Sequence, residues 1–219
     1  GKIDILWFDF SYDNMLGEKW KATELITMVR ALQPGVIIDN RLEASGENAG
    51  SIRTGKPSSY AGDFASPEQI IPPEGIRDEM GNPIPWEACI TMNNHWGYSA
   101  TDKNFKSPKL IIRKLVECVS KNGNLLLSVP VRANGTIDEK EEAIVKGIGA
   151  WMRVNQQSIY STRPWKTFGE GPLAEAVNPM TGQGFNEGIK YSAKDVRYVV
   201  RKDTVFATIM AWPEAGMYS

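Results

Sequence analysis

The sequence predicts an α/β fold, a parallel sheet with intervening helices that gives way near the C-terminus to antiparallel strands. Three observations carry this. In the opening stretch, Ile3 to Phe10, the run Ile5-Leu6-Trp7-Phe8 passes unbroken into Asp9, as in a strand buried on both faces of a parallel sheet. A helical stretch and a second short apolar run, Val36-Ile37-Ile38, follow, making a strand-helix-strand unit. From about Lys190 the period changes to two, with Val196 to Arg201 and Thr204 to Trp212 alternating around Lys202-Asp203, the pattern of a hairpin.

The elements follow in order. After the first strand comes a polar loop, Ser11 to Gly17. Glu18 to Gln33 reads as a helix, with Trp20, Leu25, Met28, Val29 and Leu32 as its apolar stripe, and Pro34-Gly35 ends it. The second strand leads into Asp39-Asn40-Arg41. Residues 42–62, rich in Gly, Ser, Glu and Asn, read as a long loop of the kind that is functional or disordered. Trp86 to Met92 reads as a strand delivering Asn93 to Tyr98. Ser107-Pro108 opens the next helix as N-cap and first helical residue, and Asn122-Gly123 stops it. Asn124 to Pro130 reads as a strand, Asn134-Gly135 as a turn, and Asp138 to Asn155 as a helix with Ile144, Ile148 and Trp151 on one face. A domain boundary falls between 165 and 190. The chain opens on a core strand with no initiator Met, which reads as a piece whose N-terminal portion is missing.

Composition narrows the function. With 42% hydrophobic and 23% charged residues, the chain is an ordinary globular sequence. Its net charge of −1 and lack of a basic block argue against nucleic acid or an anionic membrane as main partner. No apolar run approaches a membrane span. Cys89 and Cys118 fall in no metal-ligand spacing, and a single histidine, His95, cannot build a histidine-rich metal site. Seven Trp and seven Tyr are generous; aromatics serve sugar rings, but they also build cores.

Four strand-end clusters line up: Asp9, Arg41, Asp63 with Glu68, and His95-Trp96-Gly97-Tyr98. In a β/α barrel, successive strand ends converge on one pocket mouth. Two carboxylates, an arginine and aromatics in one pocket suit glycoside hydrolysis: one carboxylate attacks or stabilises the sugar carbon, and the other, protonated, donates to the leaving oxygen. Asp63 reads as orienting its loop, and Trp86, Trp151 and Trp165 as core.

Here a family resemblance enters. Leu6-Trp7-Phe8-Asp9, Ile38-Asp39-Asn40-Arg41, Gly62 to Gln69, Trp86-Glu87-Ala88-Cys89, Trp96-Gly97-Tyr98, Lys121 to Leu127 and Ile159 to Trp165 resemble, in order, the family 29 glycoside hydrolases, the α-L-fucosidases. The resemblance implies the C-terminal half of a (β/α)8-like barrel over residues 1–175, followed by the start of an antiparallel β-sandwich over 176–219. It implies a retaining double displacement that releases terminal α-L-fucose, with Asp9 as nucleophile and Glu68 as acid/base, Glu87 and Glu43 being alternatives for the latter. Trp7, Arg41, Trp96 and Tyr98 would contact the sugar, with Trp96 receiving its methyl group. The implied partner is a fucosylated oligosaccharide or glycoconjugate; no metal or cofactor is implied, and oligomeric state is not disclosed. Such families are often secreted, periplasmic or lysosomal. One segment departs from the family: Ser128-Val129-Pro130-Val131 stands where Asn-x-Gly-Pro is typical. A non-catalytic glycan-binding relative and another retaining glycosidase, such as an α-galactosidase, are the alternative readings, and the 219-residue piece alone is expected to be inactive.

Overall fold

The structure, a computed structural model, describes residues 1–9, 14–176, 180–181, 189–214 and 216. Phe10, at the end of the expected first strand, and the start of the expected polar loop lie outside the described residues. Its elements run β1 (Ile5–Leu6), α1 (Ala22–Leu32), β2 (Ile37–Ile38), β3 (Ile70–Ile71), β4 (Trp86–Thr91), α2 (Pro108–Ser120), β5 (Gly123–Ser128), α3 (Glu139–Asn155), β6 (Arg163–Glu170), β7 (Met180–Thr181), β8 (Val196–Arg201) and β9 (Thr204–Ile209). They divide into two units, Gly1–Glu68 with Gly75–Ala88, and Gln69–Glu74 with Cys89–Ser219.

In the first unit β1 and β2 pair in parallel, Ile5 against Ile37 and Leu6 against Ile38. Parallel bridges continue the series from Asp39 to Phe64 and from Ala65 to Trp86. Each step carries the chain across one strand, so the polar residues after β1, after β2 and after Phe64 lie at the same end of the sheet. Ala22 and Ile26 of α1 pack with Val36, Ile38 and Leu42, backed by Leu6, Phe8, Leu25, Val29 and Tyr60. The expected full burial of the first strand is not met: Leu6 packs on the α1 core, while Ile5, on the opposite face of β1, is 54% exposed. The expected helix from Glu18 is also broken. Lys21 takes a left-handed conformation (φ +51°) between a 3-10 turn and α1, which resets the phase of the helix. The core row becomes Ala22, Ile26 and Val29, while Trp20, Met28 and Leu32 of the expected stripe are exposed.

The stretch read as a long loop is ordered, with Glu43 at the centre of its side-chain hydrogen bonds. Glu43 accepts hydrogen bonds from Ser51 N (2.8 Å), Ser51 Oγ (2.5 Å) and Ser58 Oγ (2.7 Å), and Leu42, Ala44, Ala49 and Ala61 are buried. Asp63 is a structural residue: Arg30 Nη2 donates to both of its oxygens at 2.7 Å, and Ile38 N donates to Oδ2 at 2.8 Å.

In the second unit, Ser107 caps α2, its Oγ accepting from Leu110 N at 3.2 Å with Pro108 in the first turn. Asp138 and Glu141 form a reciprocal capping box at the start of α3. Strands β4 and β5 are neighbours, and Met92 N donates to Ser128 O (3.2 Å) at their ends. Met92, Ile111 and Ile144 form a core with Phe105, Leu125, Leu127, Val129 and Ile148. Strands β6, β8 and β9 make an antiparallel sheet in the order β6-β8-β9. The expected hairpin is present, with Val196 opposite Ile209 and Arg201 opposite Thr204. It stops at Ile209, short of the exposed Trp212. Among the described residues no helix is long and apolar enough to cross a membrane.

Candidate active site

The strand ends of the first unit converge on Arg41, whose side chain is only 4% exposed. Burying a guanidinium is costly unless its donors are met, and here they are. Nε donates to Ser66 Oγ (2.7 Å) and Ser66 O (3.2 Å), and Nη2 to Ser66 O (3.0 Å). Nη1 donates to Glu68 Oε2 at 3.1 Å and lies 3.7 Å from Asp9 Oδ1. The face of the guanidinium lies over the Trp7 ring, 4.8 Å from its centroid, a cation–π contact. One nitrogen thus serves two carboxylates. Their oxygens can be no more than about 7 Å apart, a span that includes the 5–5.5 Å of retaining glycosidases. The side chains of Asp9 and Glu68 are 41% and 34% exposed, so both carboxylates reach solvent while the arginine beneath them does not.

The support for this group is local in space and distant in sequence. Asn40 Oδ1 accepts from Ser66 N (3.0 Å) and Ser66 Oγ (2.9 Å), and Asn40 Nδ2 donates to Asn48 O (3.1 Å). Glu68 N donates to Gly46 O at 2.7 Å. A Cβ at Gly46 would lie 2.5 Å from Glu68 Cβ and 2.7 Å from Arg41 Nη2, so the residue is glycine for want of space. Gly62 is held at φ +79°, where an added Cβ would sit 2.2 Å from Asp39 O.

Asp39 is fully buried. Its Oδ1 accepts from Phe8 N (3.1 Å) and, at 3.5 Å, from Arg41 N. Burial pushes its pKa up to about 7, against the opposing pull of those two amides and of the Arg41 charge. Glu87, on β4, also has its pKa raised by burial, with the Trp7 indole as the opposing influence. The indole Nε1 is buried, with no hydrogen-bond partner of normal geometry among the described residues. Glu43 is committed to the serines of its own loop.

Of the residues singled out by sequence, Trp7, Asp9, Arg41 and Glu68 are brought together in the first unit. Trp96 and Tyr98 belong to the second unit, both on an exposed loop after β4. That loop is fastened by Asp102, whose Oδ2 meets His95 Nδ1 at 2.8 Å and accepts from Asn94 N at 3.1 Å. Arg132 lies over the Tyr98 ring at 5.7 Å. Ser128, first residue of the segment that departs from the family pattern, donates from Oγ to Trp96 O at 3.1 Å. Asp39, Gly46 and Ser66 went unnoticed in the sequence as site residues; Asp39 and Ser66 lay inside the quoted motifs, whereas nothing in the local pattern marks Gly46. No group of three or more potential metal-ligating side chains occurs among the described residues.

A strand-end arginine shared by two carboxylates, on a parallel α/β scaffold, is an arrangement suited to acid-base chemistry. Comparison with known proteins identifies the family. A family model described as alpha-L-fucosidase matches residues 1–157, and the chain belongs to that family. It is similar to tissue alpha-L-fucosidase of Mus musculus, 25% identical over 99% of this chain and 41% of the mouse protein. It is 28% identical to plasma alpha-L-fucosidase of Homo sapiens over 61% of this chain and 26% of the human protein. Among solved structures, alpha-L-fucosidase isoenzyme 1 from Paenibacillus thiaminolyticus matches with a TM-score of 0.76 at 47% identity, over 94% of this chain and 42% of that one. The chain therefore spans about two fifths of the length of the mouse and Paenibacillus proteins and about a quarter of the human one.

Proposed function

We propose that the protein carrying this chain is a retaining glycoside hydrolase that releases terminal α-L-fucose from fucosylated glycans. The observation that supports this reading most is the meeting of Asp9 and Glu68 on Nη1 of one buried arginine. In this reading Asp9 attacks the anomeric carbon while Glu68 gives its proton to the leaving glycosidic oxygen. The glycosidic bond breaks as the Asp9 ester forms. Glu68, now a carboxylate, takes a proton from water; the water oxygen attacks the same carbon, and the ester bond to Asp9 breaks. Arg41 holds both carboxylates in register through Nη1, the rest of its planar fork being fixed on Ser66, and Trp7 walls the site. Trp96 and Tyr98 are assigned to the sugar, and Trp96 to its methyl group, by the family resemblance alone. A bacterial fucosidase of similar structure (29% identity, TM-score 0.62) was solved with a dihydroxy-methylpyrrolidine inhibitor, which fits a pocket built for a methylated sugar. We further read the parallel series through β1, β2, Phe64 and Trp86 as strands from the C-terminal half of a (β/α)8 barrel over residues 1–175, and β8-β9 as the start of a β-sandwich over 176–219, with β6, which precedes that boundary, paired to β8.

The test is the anomeric configuration of the first product. Full-length protein should act on 4-nitrophenyl α-L-fucoside, and NMR of the early reaction should show α-L-fucose appearing first and mutarotating later. First-formed β-fucose would exclude double displacement, and absence of turnover on any aryl fucoside would exclude the enzyme reading.

A further inference from the structure

The strand ends that bear Asp9 and Arg41 are tied together by a third side chain. Asp39 follows β2, and its carboxyl reaches across to the end of β1. One oxygen, Oδ1, takes the backbone N–H of Phe8, the residue before Asp9, and also faces the N–H of Arg41. The residue is wholly buried. Its other oxygen, Oδ2, is buried with no hydrogen-bond partner among the described residues. A carboxylate in that position would leave charge on an oxygen that nothing solvates, which a protein interior tolerates poorly. A carboxylic acid lowers that cost, since its carbonyl oxygen serves the two amides and Oδ2 carries an unpaired hydroxyl instead of an unpaired charge.

Burial, not charge, favours the acid: the Arg41 charge favours the ionised form and outweighs the opposing charge of Asp9. Arg41, on the same loop, attracts negative charge, but its Nη1 is already shared by Asp9 and Glu68. Asp9, beyond β1, repels it. Glu68, from the third strand end, already accepts from Arg41 Nη1. An ionised Asp39 would put a third carboxylate around one guanidinium.

We propose that Asp39 is a positioning residue that acts as a neutral carboxylic acid, fastening the Asp9 and Arg41 strand ends to one another without competing for the Arg41 charge. The proposal rests on the reading of Asp9 and Arg41 as site residues, and it deepens that reading by naming what aligns them. It also fits with the raised pKa of the group.

The test uses Asp39→Asn and Asp39→Ala in the full-length protein. Asparagine keeps the acceptor for Phe8 N and cannot ionise; alanine removes the tie. The proposal expects Asp39→Asn to retain within about threefold the wild-type kcat/KM at pH 5.5, and to lose the wild type's decline in kcat/KM as pH rises through about 7. It expects Asp39→Ala to lose at least tenfold at every pH. A loss of tenfold or more in Asp39→Asn at pH 5.5, or an Asn variant whose pH profile superposes on the wild type, overturns it. Thermal melting gives a readout independent of activity. A carboxyl whose pKa is raised on folding stabilises the fold fully below its unfolded pKa near 4, and loses that contribution as pH rises to about 7. The melting temperature of Asp39→Asn relative to wild type should therefore rise between pH 4 and pH 7 and level off above. If no fucoside is cleaved, the functional reading fails while this melting difference still decides the protonation of Asp39; a flat difference overturns the proposal whatever the activity.

Discussion

Replacing Gly46 with alanine adds one methyl group at a point where there is no room for it. The new Cβ would stand 2.5 Å from Glu68 Cβ and 2.7 Å from Arg41 Nη2, whereas carbon atoms in contact sit at about 3.5–4.0 Å. Relief requires a movement of about 1 Å. The Gly46 carbonyl also anchors Glu68 N at 2.7 Å, so the loop cannot withdraw without dragging the backbone of Glu68 along. Overpacking of this kind costs about 1–3 kcal/mol of stability, and a misplacement of about 1 Å in a catalytic constellation costs roughly 10²-fold in rate. In the full-length protein, Gly46→Ala should lower kcat/KM for 4-nitrophenyl α-L-fucoside by about 10²-fold, with a fall in melting temperature. Gly55→Ala is the matched control, because Gly55 lies on the same loop with no atom within 4 Å of an added Cβ; it should change neither quantity. A Gly46→Ala enzyme with unaltered kinetics, or equal damage from both substitutions, would refute the steric reasoning.

Arg41→Lys keeps the charge but loses the fork to Ser66 and Glu68. Hydrogen bonds to charged groups contribute about 1.5–3 kcal/mol each, so kcat/KM should drop by at least about tenfold, and a drop under twofold in steady-state assays would contradict the assigned geometry. Glu117 is a fully buried carboxylate on α2, 2.7 Å from Arg197 Nη2 of β8 and 2.9 Å from Lys121 Nζ. Glu117→Leu removes the carboxylate that two buried cations share and should cost about 3–5 kcal/mol, read by denaturant melts; a loss under about 1 kcal/mol would mean that the cluster is hydrated.

Short-range signals in the sequence carried the elements they govern. Ser107-Pro108 starts α2 through a capping hydrogen bond between near neighbours, and alternation around Lys202-Asp203 marks the β8–β9 hairpin because pairing there is local. The phase of α1 was not legible: it depends on a left-handed Lys21, a conformation that lysine seldom adopts and that no neighbour signals. The exposure of Ile5 follows from what packs on the second face of β1, a matter of tertiary packing and not of composition. In the site, the residue types Asp9, Arg41 and Glu68 stood out as chemistry at strand ends. Their support did not, because Ser66 reaches Arg41 across 25 positions and Asp39 reaches Phe8 across 31. Gly46 is the clearest case, since its requirement for no side chain arises only once Glu68 and Arg41 have folded against it.

The central claim, that Asp9 attacks the sugar, is tested most directly by azide rescue. Full-length Asp9→Ala should hydrolyse 4-nitrophenyl α-L-fucoside at least about 10³-fold more slowly than wild type, within the range for loss of a catalytic nucleophile. Added azide, entering the space left by the carboxylate, should restore part of the rate and yield β-L-fucosyl azide with loss of the aryl oxide. An Asp9→Ala enzyme that retains wild-type turnover, or that azide converts to the α-azide, contradicts the account.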